Sequence, residues 1–415
     1  MRIFRRFSKI NFIAGQRHDS QPPSFVNSGF IKESNPRECE VLWVTNLAAP
    51  YRMPVWRSLA ENYKLTIAVL ESNESLKHDS EANRGTDWLH RETAGVRFEE
   101  LPSWKFSRGE SRYYVLKNVA SLLSVRKYDL VLFGGWESPA YWSLLAFALM
   151  FRVPRVAFYE SPLNTMAHTT GPIAWMRSTF FRFMDLVVVP GVAAAEAVRH
   201  LGVQPEKVIQ GFNAVDVTEF HNVSPSHVTD NSVSNGMGHR YLYVGQLIQR
   251  KRTKAIIEAF NEIATAEDEL TIIGSGPLRE ELLLMAGSNE SQIRLLEYVE
   301  YSALPRVMSF YHTLILASER EVWGLVVNEA LASGMHAVVT ENCGVLPSVQ
   351  GMAGVYAAQL GLQDLAVQMK RSATDWNGRI ESPEILQFTP ERFAEVFDRA
   401  FKSSLEIRGH DNSDK

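Results

Sequence analysis

Short apolar runs rich in β-branched residues, each closed by a turn residue and followed by a helical pattern, recur along this chain in two series. VLWVTN, LTIAVL, DLVLFGG, RVAFYE and DLVVVPG make the first, between residues 41 and 191. RYLYVGQL, ELTIIGSG, RLLEYV, HTLILAS and HAVVT make the second, between residues 240 and 340. A strand that is apolar on both faces must be covered on both faces, which is the situation of a parallel strand under helices. Strand–helix alternation of this kind builds a doubly wound sheet. Between the series lies NVSPSHVTDNSVSNGMGH, polar and without periodicity, which reads as a linker. At 415 residues the chain exceeds what one core supports. The expected organisation is a basic tail and linker over 1–38, a first domain over 39–221, a linker over 222–239, a second domain over 240–388, and a helix with a polar tail over 389–415. The fold class is α/β, two doubly wound Rossmann-like domains facing across a cleft, with ligands at the C-terminal edges of both sheets.

A formal net charge of −4 argues against a nucleic-acid partner. Cys39 and Cys343 are the only cysteines, too few for a disulfide framework or a cysteine-rich zinc site, and they suit a reducing compartment. The longest apolar run, Ala140 to Phe151, is too short to span a bilayer and reads as a buried helix. The N-terminal MRIFRRFSKINFIAG lacks the uninterrupted apolar region of a signal peptide. A disordered tail is the expectation there; the alternative is a surface helix with Ile3, Phe7 and Ile10 on one face against an anionic membrane. The chain is therefore expected in the cytoplasm, with peripheral contact at the inner face of the membrane as the alternative to a free state.

SEREVWGLVVNEALASG, 318–334, places Glu321 and Glu329 eight residues apart in an apolar setting. A helix is expected from near Gly324 to Gly334, so Glu321 lies in a strand–helix loop and Glu329 inside the helix. Eight helical residues span roughly 12 Å, too far to share a proton. The pair instead flanks a helix N-terminus, where amides and dipole attract phosphate. Carboxylates grip sugar hydroxyls, so the layout suits a nucleotide-sugar, with the amides from Trp323 to Leu325 on its diphosphate. Taken singly, Glu321 could complement the helix dipole and Glu329 could meet a buried basic group.

Glu321, Trp323-Gly324-Leu325, Glu329-Ala330-Leu331 and Gly334 resemble the E-x7-E motif of the retaining glycosyltransferases of family four, which have the GT-B fold. VGQLIQRK (244–251) is similar to that family's first strand and phosphate loop of the second domain, TIIGSGPLREEL (271–282) to its next strand and turn, and NAVDVTEF (213–220) to the segment closing the first domain. The resemblance covers most of residues 41–405 and is strongest in the second half. It implies that Glu321 contacts donor-sugar hydroxyls, Glu329 the ribose, and Lys251 the diphosphate. Gly245, Gln246, Arg250, Gly274 and Gly276 fall in the same donor loops. Gln246 stands where the family usually has arginine, and Arg252 where it usually has glycine; Arg250 or Arg252 is the expected substitute charge. Lys251 could equally be a solvated lysine. GSGP lacks the third glycine of a dinucleotide fingerprint, since residue 279 is Arg279, and reads as a close backbone turn.

In the first domain the strand ends offer Tyr51, Arg52, Gly135 and Trp136 on the acceptor side, and Glu160 as a candidate catalytic group where the family often has a histidine; His168 comes later. Tyr51 and Trp136 could be core aromatics and Glu160 a helix cap. MRSTFFRF (176–183) mixes arginine with aromatics, for which core packing is expected over membrane contact. No D-x-D pair and no metal-ligand spacing occur, so a metal site is not expected, and no cofactor beyond the donor. The activity implied is transfer of a hexose from a nucleotide-diphosphate sugar to a glycan or lipid-linked acceptor, with retention and independent of metal. The rivals are a nucleotide-sugar epimerase, a non-catalytic sugar-nucleotide-binding protein, and a phosphorylase.

Overall fold

The computed structural model describes residues 39–77, 89, 95–108, 111–223, 238–287 and 292–413, with side chains up to residue 407. The expected basic tail and most of the expected 222–239 linker lie outside the described residues. The first half holds β1 (Glu40–Thr45), β2 (Lys64–Val69), β3 (Val96–Glu100), β4 (Ser103–Arg108), β5 (Ser111–Leu116), β6 (Leu130–Phe133), β7 (Arg155–Phe158), β8 (Leu186–Val189) and β9 (Val208–Gln210), of which the five runs of the first series form β1, β2, β6, β7 and β8. The second holds β10 (Arg240–Val244), β11 (Glu269–Ile273), β12 (Ile293–Leu296), β13 (Thr313–Leu316), β14 (His336–Thr340) and β15 (Val355–Ala358), of which the five runs of the second series form β10 to β14.

Seven strands pair in the order β3-β2-β1-β6-β7-β8-β9, and six in the order β12-β11-β10-β13-β14-β15. Neighbours in both sheets run parallel. Strand order reverses at β1/β6 in one sheet and at β10/β13 in the other, and such reversals open a crevice at the strand C-termini. The loops after these four strands carry most of the candidate residues. β6, β7, β8, β13 and β14 are buried at every position, the two-sided burial that their largely apolar sequences require.

Three further features go beyond the sequence reading. First, Val215, Val217 and Phe220, at the end of the expected first domain, pack with Val327, Ala330 and Leu331 in the core of the second. Second, the C-terminal helix runs on to Ser413 and returns to the first domain. Its Phe393, Phe397 and Phe401 join Trp43, Trp56 and Phe158. Trp43 and Phe397 ring centroids lie 4.7 Å apart, and Tyr63 donates to Asp398 at 2.8 Å. Burying each phenylalanine contributes about 1.5–3 kcal/mol. Phe212 and Phe388 stack at 3.9 Å. Third, β4 and β5 form an antiparallel hairpin that a search for continuous apolar runs passes over. Its anchor is polar: buried Glu71 accepts from Tyr114 at 2.6 Å and pairs with Lys105 and Arg112.

The apolar run of 140–151 forms the helix Pro139–Met150, which buries Ala140, Tyr141, Leu144, Leu145 and Ala148 and exposes Met150, so it is covered on one side and not all round. No helix among the described residues is long and apolar enough to cross a membrane. Both cysteines are free thiols, and burial pushes each up to about 12.

Candidate functional site

After β10 the chain makes a short turn, Gln249–Lys251, and after β13 it makes the loop that carries Glu321. Because β10 and β13 are neighbours, the two loops meet: Lys251 Nζ forms a close ion pair with Glu321 Oε2, both side chains being largely buried. Ser318 Oγ donates to the same oxygen at 3.2 Å. Glu321 is therefore tied to a cation rather than to the dipole alone. Its backbone is held against the loop after β14, with Gly344 N donating to Glu321 O at 3.0 Å.

Arg252, in the place of the expected glycine, adopts φ 54° and ψ 36°, the left-handed conformation that glycine takes at least cost. Its Nη2 donates to the Leu360 carbonyl at 2.5 Å. Arg250 Nη1 instead donates to the Arg320 carbonyl at 3.3 Å, next to Glu321. Of the two candidate substitutes for the charge missing at Gln246, Arg250 is thus beside the Glu321 loop and Arg252 is held elsewhere. Gln246 itself is exposed. At Gly274 (φ +149°) any Cβ would collide with the Gly245 carbonyl oxygen, and at Gly276 with the backbone of Leu247. Leu247 N also donates to Ser275 O at 2.8 Å. Gly274 and Gly276 thus let the loop after β11 touch the backbone of the loop after β10, while a Cβ at Gly245 would meet the Tyr243 hydroxyl.

The helix Leu325–Ala332 starts at Gly324 (φ +100°) with no side-chain cap, which leaves its first amides to face a ligand. Trp323 turns inward: its ring packs against Phe212 at 5.2 Å and closes on Gly191 of the first domain. Its backbone, not its side chain, is what the site can use. Glu329 is 5 % exposed and, among the described residues, has no basic partner, contrary to the structural alternative weighed for it. Burial pushes its carboxyl up to about 8, against a smaller opposing pull from the Tyr301 hydroxyl. That hydroxyl is buried and outside hydrogen-bond geometry, so the pull is one of proximity.

A pH test of Glu329 follows. Between the ordinary carboxylate range and pH 8 the folded chain holds a proton that the unfolded chain has released. Stability from this group therefore falls as pH rises through that window. Glu329→Gln is expected to flatten the decline and to be more stable than the parent at pH 9 by a few kcal/mol. Urea midpoints measured at pH 6 and pH 9 check it; parallel pH curves for the two proteins would sink the assignment.

In the first domain, Arg52 Nη2 donates to Glu160 Oε2 at 2.6 Å and Asn213 Nδ2 to Glu160 Oε1 at 3.0 Å. Both oxygens of Glu160 are engaged, so it ties Arg52 and Asn213 together. Arg52 also lies 4.5 Å over the Phe158 ring and 5.6 Å from that of Tyr51. From Asn213 the tie continues across the boundary: Asn328 Nδ2 donates to Asn213 O at 2.7 Å, and Trp323 Nε1 donates to Asn328 Oδ1 at 3.1 Å. A second link joins Asn164 to the Asn342 carbonyl at 3.0 Å, beside Glu321. Gly135 makes room for the ring of Tyr141, whose hydroxyl donates to Asn46 at 2.8 Å. Trp136 is half-buried with Arg177 4.7 Å over its ring. His168 is exposed. The structure thus gathers Lys251 and Glu321 at one strand reversal, and Arg52, Gly135 and Trp136 at the other.

Asn213 and Arg177 lie in stretches the sequence singles out, but only the structure gives their side chains partners or surroundings; Asn328 has no separate reading from sequence. A signal for Asn328 existed: an amide side chain in the apolar run LVVNEALA is costly unless hydrogen-bonded. Among the described residues, no three His, Cys, Asp or Glu side chains gather as a metal would need.

Residues 46–219 match the model of Glycosyltransferase Family 4, and residues 229–359 that of Glycosyl transferases group 1. The N-acetyl-alpha-D-glucosaminyl L-malate synthase of Bacillus anthracis is 25 % identical over 133 residues, 31 % of this chain and 35 % of that protein. A sulfoquinovosyl transferase of Arabidopsis thaliana is 26 % identical over 215 residues, 49 % of this chain and 41 % of that protein. The chain thus spans well under half the length of the curated relatives it matches. The crystal structure of HepE from Anabaena in complex with UDP superposes with a TM-score of 0.63 at 15 % identity, covering 91 % of this chain and 100 % of that one. With the two parallel sheets, that likeness shows the GT-B fold expected from the sequence.

Proposed function

This chain belongs to the family-four-like glycosyltransferases of GT-B fold, and from that premise we propose that it moves a hexose from a nucleoside-diphosphate sugar to a glycan or lipid-linked acceptor, with retention and without a metal ion. The observation that carries the reading is the Lys251–Glu321 pair at the β10/β13 reversal, beside an uncapped helix N-terminus whose helix holds the buried Glu329. The helix amides and Lys251 hold the diphosphate and stabilise it as it leaves. Glu321 meets hydroxyls of the donor hexose while keeping Lys251 in place. Glu329 receives the ribose hydroxyls, which give a buried carboxyl group hydrogen-bond donors. Glu160 positions Arg52 and Asn213. In a retaining transfer the leaving phosphate accepts the acceptor's proton on the face from which it departs, so no base is needed across the cleft.

The Anabaena HepE structures are complexes with UDP and with UDP-glucose, which makes uridine nucleotides the first donors to try. In a thermal-shift panel the true donor at about 100 times its Kd should stabilise the chain by about 2.7 kcal/mol. NMR of the product then reads the anomeric configuration, and EDTA in excess should leave turnover intact. An inverted linkage refutes the mechanism, and activity restored only by Mg²⁺ or Mn²⁺ refutes metal independence. An isomerised donor without a new glycoside would favour an epimerase. Absence of any turnover, including slow donor hydrolysis, would favour a binding protein.

A further inference from the structure

Three arginines of the first domain are buried, and two have carboxylate partners: Arg52 with Glu160, and Arg155 with Asp185 at 2.9 Å. Arg177, in the helix Gly171–Arg182, is the exception among the described residues. It is 5 % exposed, Nε and Nη1 are buried without a hydrogen-bond partner, and no carboxylate lies within ion-pair distance. Glu137, in the loop after β6, has its oxygens taken by Asn46 Nδ2 and Trp136 N, each at 3.0 Å. Stacking on Trp136 uses only the face of the guanidinium, leaving the N–H groups in its plane unspent. Burying an unpaired cation carries a desolvation cost.

The position gives this cost a use. Trp136 follows β6 and Tyr159 follows β7, neighbouring strands whose C-terminal ends face the crevice. Arg177 is close enough to Tyr159 for its charge to act on that phenol. At the start of the same helix Ile173, Trp175 and Met176 are exposed, Trp175 by 66 %. Within the sequence stretch MRSTFFRF, then, Phe180 and Phe181 pack in the core as expected, while Met176 and Phe183 face outward.

We propose that Arg177 is the acceptor's anion site: its in-plane N–H groups hold a phosphate carried by the acceptor, and the apolar start of the helix takes the lipid to which that phosphate is attached. This rests on the transferase reading for the word acceptor, but not for the site itself. The shared chemistry is a phosphate oxyanion in a fork of N–H donors; a soluble phosphorylated acceptor offers the same group without the tail.

The test is calorimetric titration of the full chain, under saturating UDP so that the donor phosphate site is filled. The probes are decyl phosphate, inorganic phosphate and decanol. Decyl phosphate should bind, with affinity reduced about tenfold or more in Arg177→Gln and less in Arg177→Lys, while UDP binding is unchanged in both. Inorganic phosphate binding with the same dependence on Arg177 would uphold the anion site and assign it to a soluble acceptor. Decanol binding as tightly as decyl phosphate, equal binding by Arg177→Gln, or no binding of either phosphate would overturn the proposal. Arg177→Met should raise Tm, because it removes an unpaired buried charge; a lower Tm would mark Arg177 as structural and overturn it as well. Failure of UDP to bind the parent chain would count against the donor reading alone, since the phosphate titrations can be read without it.

Discussion

Lys251→Ala is expected to lower sugar transfer by about 10²–10³-fold, the usual loss when a preorganised group facing developing charge is removed. In the proposed transfer the charge develops on the leaving diphosphate, and Lys251 stands at the β10/β13 reversal, paired with Glu321 in the loop that leads to the helix Leu325–Ala332. The direct ion pair to Glu321 adds a sharper expectation. Lys251→Ala leaves Glu321 as an unpaired, largely buried carboxylate facing the phosphates, and Glu321→Ala leaves Lys251 without its orienting partner. The two residues act as a unit, so the double variant should be no slower than the slower single variant. Glu321→Gln keeps an acceptor for hydroxyls but loses the charge, and should lower turnover while leaving nucleotide binding largely intact. Steady-state rates for the four proteins of the cycle decide it. Multiplicative losses in the double variant would mean that the two side chains serve the donor separately.

Asn328→Ala is expected to destabilise the chain by about 2–5 kcal/mol, because it strands two buried partners at about 1–3 kcal/mol each. The partners are Trp323 Nε1 and the Asn213 carbonyl, and Asn328 itself is wholly buried. The same amide is one link in a run of contacts from Arg52 and Glu160 through Asn213 to the helix that carries Glu329. Its loss should therefore also raise the KM for donor, since the helix loses its hold on the first domain. Urea unfolding of the variant checks the first expectation and donor saturation curves the second. If the unfolding midpoint does not move, the bridge contributes nothing to stability.

The strands that match the ten apolar runs, and the motif helix, were legible from sequence alone, because each is decided locally. A parallel strand buried on both faces has to be mostly apolar, and β6 and β8 are so throughout, while β7, β13 and β14 carry buried polar residues only at their ends. The loop with Glu321, the start at Gly324 and the turn at Gly334 (φ +73°) lie within one stretch of seventeen residues, so spacing sufficed to place them. What lay beyond that reach was decided by strand order. Lys251 and Glu321 are 70 residues apart and meet only because β10 and β13 are neighbours. Asn213 and Asn328, 115 apart, meet only because Val215, Val217 and Phe220 pack in the core of the second domain. The return of the C-terminal helix to Trp43 and Phe158, the two engaged oxygens of Glu160 and the missing partner of Arg177 are of the same kind. Periodicity reports which face of a segment is covered. It carries no information on which distant side chain does the covering, and a buried charge is satisfied or left unsatisfied by that neighbour alone.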